Sequence, residues 1–154
     1  MQNPYPVNLN LVNKSVVVVG GGKVAARKIN SLLASNARVT VVSPQLDPKI
    51  DCLSVYWIRR KYRVGDLKNA TLIIACTDDR QVNQQVVKDA DQFQWVNNVS
   101  DKLQSDFYNV AKLENKELLI TVSTKGRSPA TSKKIKQYLL EWLTQNHYFR
   151  EDRQ

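Results

Sequence analysis

The amino-acid sequence predicts an α/β fold built on a parallel sheet, on three observations. Val16, Val17, Val18 and Val19 form the continuous β-branched run expected of a strand covered on both faces. Gly20, Gly21 and Gly22 follow with no spacer, and a helical pattern begins at once at Lys23. Further short apolar strands then alternate with turns and helical segments down the chain, as in successive βαβ units. Together these describe a Rossmann-like, doubly wound sheet, with a strand and an amphipathic helix closing the chain.

The glycine stretch reads as G-x-G-x-x-A. Gly20 makes the turn, Gly22 lets backbone approach a pyrophosphate, and Ala25 lets the helix pack closely on the strand. The helix N-terminus, at Lys23 and Val24, offers N–H groups and a partial positive charge to that phosphate. Gly20, Gly22, Lys23 and Val24 are therefore candidate contacts to a dinucleotide. The alternative is a glycine turn that merely joins a strand to a helix.

Taken in order, Tyr5 to Leu11 is an extended lead-in and Asn13-Lys14 a turn before the first strand. After the glycine loop, Val24, Ala25, Ile29, Leu32 and Leu33 keep near-helical spacing until Ser35-Asn36. Arg38 to Val42 is the second strand. Where many NAD-binding folds place an acid for the ribose hydroxyls, this chain has Ser43, which leaves NAD against NADP open. Val55 to Ile58 is the third strand, and Gly65-Asp66-Leu67 starts a turn or short helix.

Thr71 to Cys76 is a fourth strand, ending at Thr77-Asp78-Asp79. Ligands of open α/β sheets lie beyond the carboxyl ends of the strands, so Thr77 and Asp78 are expected beside the glycine loop. Asp79 reads as the N-cap of the next helix. A fifth strand, Gln94 to Val99, carries Asn98 and Asp101 toward the same crevice. Leu118 to Ser123 is a sixth strand, and Ser128-Pro129 an N-cap and first-turn proline for the last helix. Ile135, Leu139, Trp142 and Leu143 form one stripe of that helix, expected as core or as a dimer face.

Composition narrows the classes. With 42% hydrophobic and 24% charged residues the chain reads as one globular domain. No apolar run reaches membrane-spanning length and the N-terminus lacks a signal-peptide pattern, so a cytoplasmic protein with no membrane partner is expected. Cys52 and Cys76 are too few for a disulfide framework, and His147 is the single histidine, so no metal cage is expected. The net charge of +9 includes clusters at Arg59 to Arg63 and Lys133 to Lys136. No helix-turn-helix or zinc-finger pattern accompanies it, so a polyanionic small molecule, or a solvated surface, is preferred to nucleic acid.

Five landmarks in order give the chain a resemblance. These are Tyr5-Pro6-Val7-Asn8-Leu9, the loop Gly20 to Lys28, Thr77-Asp78-Asp79 with Val82-Asn83, Asn98-Val99-Ser100-Asp101, and Ser123 to Pro129. Together they resemble the precorrin-2 dehydrogenase/sirohydrochlorin ferrochelatase family of sirohaem synthesis, over nearly the whole sequence. The resemblance implies oxidation of precorrin-2 to sirohydrochlorin with hydride passing to NAD⁺, and in many members insertion of Fe²⁺ as well. It implies that Asp101 is the catalytic carboxylate of both reactions, a helix cap being the alternative. By analogy Ser123, Thr124, Lys125, Arg127 and Ser128 border the tetrapyrrole, whose many carboxylates suit a basic protein. It also implies a homodimer, with an NAD-binding domain over residues 1–116 and a dimerisation segment over 117–154.

Three departures accompany the resemblance. The family generally continues into a C-terminal helical region over the active site, expected to be absent here, which weakens the case for chelatase activity. Lys125 stands where the family commonly has the first of two glycines, and Val110 replaces the proline of its Phe-x-x-Pro-Ala stretch. Both changes fall near the expected substrate site and point to altered specificity or a degenerate copy.

Overall fold

The computed structural model describes residues 4–148. They form two compact units, one of Pro6–Phe107 and one of residues 108–148 with residues 4 and 5.

The first unit contains β1 (Ser15–Val19), α1 (Lys23–Ala34), β2 (Arg38–Val42), β3 (Tyr56–Ile58), β4 (Leu72–Ala75), α2 (Arg80–Asp89) and β5 (Trp95–Asn98). The five strands make one parallel sheet in the order β3-β2-β1-β4-β5. The valine run is buried on both faces, as its composition predicts. Val16 and Val18 pack with Ala25, Ala26 and Ile29 of α1, whereas Val17 and Val19 pack with Val86 of α2. Alternation along one strand thus serves two helices.

Register places the site. Val19 lies opposite Val42 on one side and Ala75 on the other, and Ala75 lies opposite Asn98. The carboxyl ends of β1, β2, β4 and β5 are therefore level. The chain leaves β1 for β2 on one side and later enters β4 on the other, which makes the β1/β4 boundary the switch point. α1 stops where expected: Asn36 adopts φ +56° and its N–H bonds Leu33 O, in the left-handed ending that asparagine tolerates. Val24 does not join the buried stripe; it is 40% exposed on the first turn. The Gly65 region is a turn, closed by a two-pronged Arg60–Asp66 pair at 2.7 Å for each prong.

The second unit is a hairpin of β6 (Ala111–Glu114) and β7 (Leu119–Val122) with α3 (Pro129–Gln145). The expected sixth strand is β7, but it pairs antiparallel with β6 and is not part of the parallel sheet. Ala-Lys-Leu-Glu alternates apolar and polar, but it is four residues long with no β-branched or aromatic side chain, too little to announce β6; its partner creates it. The hairpin thus groups with α3, and the first unit ends at Phe107. Leu113 and Leu143 are buried, with Leu118, Ile120, Leu139 and Leu140 packed around them. The expected α3 stripe divides: Leu139 and Leu143 turn inward, while Ile135 is 40% and Trp142 53% exposed. Trp142 stacks on Tyr148, with ring centres 5.8 Å apart. Among the described residues no helix is long and apolar enough to cross a membrane.

Candidate functional site

The level strand ends of the first unit open into a cavity of about 900 Å³. Its wall is the glycine loop, the segment 43–47 after β2, Lys61 and Tyr62, the segment 76–79 after β4, and Val82 and Gln85 of α2.

The three glycines do different work. Gly20 has φ +119°, and a Cβ there would stand 2.5 Å from Cys76 O, so this glycine both turns the chain and lets it cross β4. At Gly21 a Cβ would stand 2.2 Å from Gln45 O and 2.8 Å from Ser43 Oγ. This position, the variable one in G-x-G, is the tightest of the three, because the segment after β2 folds down on it through Asp47 N–H to Gly21 O at 2.7 Å. A Cβ on Gly22 would meet nothing within 4 Å. Internal packing does not require glycine there; the space it leaves belongs to the cavity.

Gly22 is also the N-cap of α1, with no side-chain cap and no acid in the first turn. The first amides of α1 therefore keep their partial positive charge for a ligand, with Lys23 on the cavity wall beside them. A bound pyrophosphate fits this arrangement on three counts: uncapped amides, an open Cβ direction, and a cavity large enough for a nucleotide. Val24, expected as a contact, is not part of the wall.

Across the cavity Asp78 and Thr77 follow β4 as expected. Asp79 caps α2, accepting from Gln81 N at 2.8 Å and Val82 N at 3.3 Å. Ser43 lines the cavity but is only 7% exposed; its hydroxyl donates to Gln45 O at 2.7 Å and its carbonyl accepts from Trp57 Nε1 at 2.9 Å. The hydroxyl thus shapes its own loop. Cys76 also reaches the wall, where burial pushes its thiol pKa up to about 12, so it stays neutral and unreactive at ordinary pH. Burial lowers the pKa of nearby Lys28, whose ammonium donates to Asn97 Oδ1 at 2.9 Å. Burial and the hydrogen bond to Asp89, at 2.8 Å, push the Tyr62 phenol up.

Asn98 and Asp101, expected in the same crevice, are not part of the cavity wall. Asn98 is 2% exposed and its side chain is occupied by Ser100 and Gln104. Asp101 is half-buried, and its Oδ1 accepts from Leu103 N at 2.9 Å, capping the short 3-10 turn Lys102–Gln104. The capping alternative is therefore realised with one carboxylate oxygen, which leaves chemistry at the other compatible with it.

In the second unit, Thr124 and Ser128 are tied into their own loop: Ser128 N donates to Thr124 Oγ1 at 3.0 Å, and Ser128 Oγ accepts from Thr131 N at 3.2 Å. Ser123, Lys125 and Arg127 are exposed. Lys125 has φ +53°, the left-handed conformation that glycine adopts without strain, followed by Gly126 at +73°. Sequence reasoning did not single out Gly21, Lys61, Tyr62 and Gln85 as members of the site. Gly21, Lys61 and Tyr62 depend on how the loops after β2 and β3 fold back, and Gln85 on how α2 packs beside the cavity, for which no local motif exists. Among the described residues no group of histidine, cysteine and acidic side chains could hold a metal ion.

Comparison with known proteins agrees with this geometry. Residues 7–111 match a family described as NAD(P)-binding. A precorrin-2 dehydrogenase of Bacillus subtilis is 34% identical over 134 residues, covering 84% of this chain and 83% of the relative. A siroheme synthase of Mannheimia succiniciproducens is 33% identical over 149 residues; the match takes in 94% of this chain but spans only 31% of that protein. The solved structure of SirC, a precorrin-2 dehydrogenase, superposes with a TM-score of 0.81 at 33% identity, covering 90% of this chain and 70% of the other. With residues 7–111 matched by an NAD(P)-binding family and a precorrin-2 dehydrogenase matched over 83% of its own length, the chain belongs to the precorrin-2 dehydrogenase family of NAD(P)-binding proteins.

Proposed function

We propose that this protein oxidises precorrin-2 to sirohydrochlorin in sirohaem biosynthesis, with NAD as its cofactor. The observation that carries the reading is the cavity at the switch point, where Gly22 leaves room and α1 leaves its first amides uncapped. A dinucleotide held there would supply the acceptor for the hydride that precorrin-2 gives up. The chain's own part is to hold the pyrophosphate at Gly22 and Lys23, to enclose the nucleotide between residues 43–47 and 77–78, and to accept a proton. That acceptor is Asp101: as hydride leaves one carbon of the substrate, a proton leaves a neighbouring position, and a carboxylate suits its removal. The balance is precorrin-2 plus NAD⁺ giving sirohydrochlorin, NADH and a proton.

Lys125 and Arg127, both exposed, are assigned to the substrate's carboxylates, together with Ser123, Thr124 and Ser128 of the same loop. A substrate rich in carboxylates offers a reason for the net charge of +9 that does not need nucleic acid. The working form is a homodimer: Ile135, Tyr138 and Trp142 leave an apolar strip exposed on α3, and among the described residues of the second unit Leu113 and Leu143 are the buried hydrophobics. Cys52 is an exposed free thiol, in keeping with a reducing, cytoplasmic compartment.

The test is anaerobic: purified protein, freshly generated precorrin-2 and NAD⁺, with NADH and sirohydrochlorin absorbance followed together. Equal appearance of both supports the reading, and an Asp101→Ala protein that folds, binds NADH and turns over normally removes Asp101 from it. A second reading, iron insertion as well, is favoured by the match of 94% of the chain to a siroheme synthase. Adding Fe²⁺ to the same cuvette decides between one activity and two.

A further inference from the structure

Two buried asparagines join the nucleotide cavity to the Asp101 loop. Asn83, on α2, is fully buried and uses all its polar capacity. Its Oδ1 accepts from Thr77 N at 3.0 Å and Thr77 Oγ1 at 2.9 Å; its Nδ2 donates to Thr77 O at 3.0 Å and Ser100 Oγ at 3.3 Å. Ser100 then passes the connection on, its N–H and hydroxyl donating to Asn98 Oδ1 at 3.0 and 2.7 Å. Asn98 holds the far side of the loop: Nδ2 donates to Gln104 Oε1 at 3.3 Å, and its N–H to Ser105 Oγ at 2.9 Å. Ser105 Oγ lies 3.2 Å from the carbonyl oxygens of both Asn98 and Asp101, and Asp101 N donates to Asn98 O at 3.3 Å.

Thr77 is one end of this chain of bonds and lines the cavity; Asp101 sits at the other end and does not. A buried asparagine whose four bonds all serve neighbouring loops adds no apolar packing. Its role is to hold two loops in a single relative placement, which a low-dielectric setting makes stiff. No side-chain polar atom buried among the described residues lacks a partner, so the network is complete.

We propose that Asn83, Ser100 and Asn98 are positioning residues: they set the Asp101 carboxylate relative to the dinucleotide held beside Thr77. The proposal rests on the reading of Asp101 as proton acceptor. Placement of this kind affects the chemical step more than binding, because a carboxylate displaced by a fraction of an ångström still folds and still leaves the nucleotide cleft formed.

Ser100→Ala is the gentle probe, since Ser100 is only half-buried and loses one hydroxyl. Turnover of precorrin-2 at saturating NAD⁺ falls about tenfold, less than the ~100-fold that a full 1 Å misplacement costs. NADH affinity, read by fluorescence, and thermal midpoint move little. Ser100→Thr, which keeps the hydroxyl, restores turnover. Normal turnover in Ser100→Ala overturns the proposal, as does a loss shared by turnover, NADH affinity and melting that threonine does not rescue. An Asp101→Ala control separates the two levels. If it turns over normally, the reading of Asp101 fails and the proposal with it; if it is inactive while Ser100→Ala is normal, only the positioning role fails.

Discussion

Two helices begin at the same cavity and begin differently. α1 starts at Gly22 with no side-chain cap and no acid in its first turn; α2 starts at Asp79, whose carboxylate accepts from two of its first amides. Both helices have buried faces on the sheet and both follow the carboxyl end of a parallel strand. What differs is whether the helix satisfies its own N-terminus. A carboxylate on α2 stabilises that helix and closes its end to other anions, whereas a glycine on α1 forgoes that stabilisation and keeps the end available. The difference teaches which of two adjacent helix ends is the phosphate site, a distinction that position in the sheet alone does not make.

The strongest way to break the comparison is to give α1 the cap that α2 has. Gly22→Asp places a carboxylate on the amides and negative charge in the cleft; the loss of two or three charge-assisted hydrogen bonds predicts at least ~100-fold weaker NADH binding. Thermal stability holds or rises, because the open Cβ direction admits the side chain. Calorimetric titration with NADH beside a melting curve checks both parts, and unchanged affinity would show the loop to be only a turn.

The converse variant, Asp79→Ala, removes the α2 cap. It costs about 1 kcal/mol of folding stability. NADH binding does not fall, since the change takes a negative charge from the wall. Urea melts of the two proteins measure the first effect and the same titration the second.

The start of α3 extends the comparison to a helix capped by Ser128 but approached through Lys125 at φ +53°. Lys125→Gly relieves a left-handed lysine and raises stability by up to ~1 kcal/mol, the gain being reduced by glycine's greater freedom in the unfolded chain. If Lys125 also meets substrate carboxylates, the same variant raises the KM for precorrin-2, a split that stability alone would not produce.

The smallest effect contrasts a carboxylate held by amides with one held by a guanidinium. The Arg60 side chain holds Asp66 below the usual carboxylate range, with the Arg63 N–H helping. A depressed folded pKa stabilises the protein above the unfolded value and loses that contribution as pH falls through the folded one. Acid unfolding of the wild type should therefore steepen below about pH 4. Asp66→Asn flattens that limb slightly while leaving the neutral-pH curve lower; an unchanged acid limb would show the pair to be fully screened.

Much of this protein was determined by local sequence. The valine run made β1 whatever surrounded it, because four β-branched residues suit only an extended segment buried on both faces. Gly20, the Asp79 cap and the Ser128-Pro129 start were equally legible, each resting on backbone geometry within a few residues. The tertiary structure decided the rest. Gly21 became the tightest glycine only when the segment after β2 folded onto it, and Ala111–Glu114 became a strand only by pairing with β7. Trp142 turned outward because Leu139 and Leu143 took the inner face of α3, and Asn98 became a buried tie because Ser100 and Gln104 closed on it. Caps and turns act over three or four residues, so the chain states them directly. Pairing, packing and buried hydrogen bonds depend on which distant segments arrive, and only the folded protein brings them together.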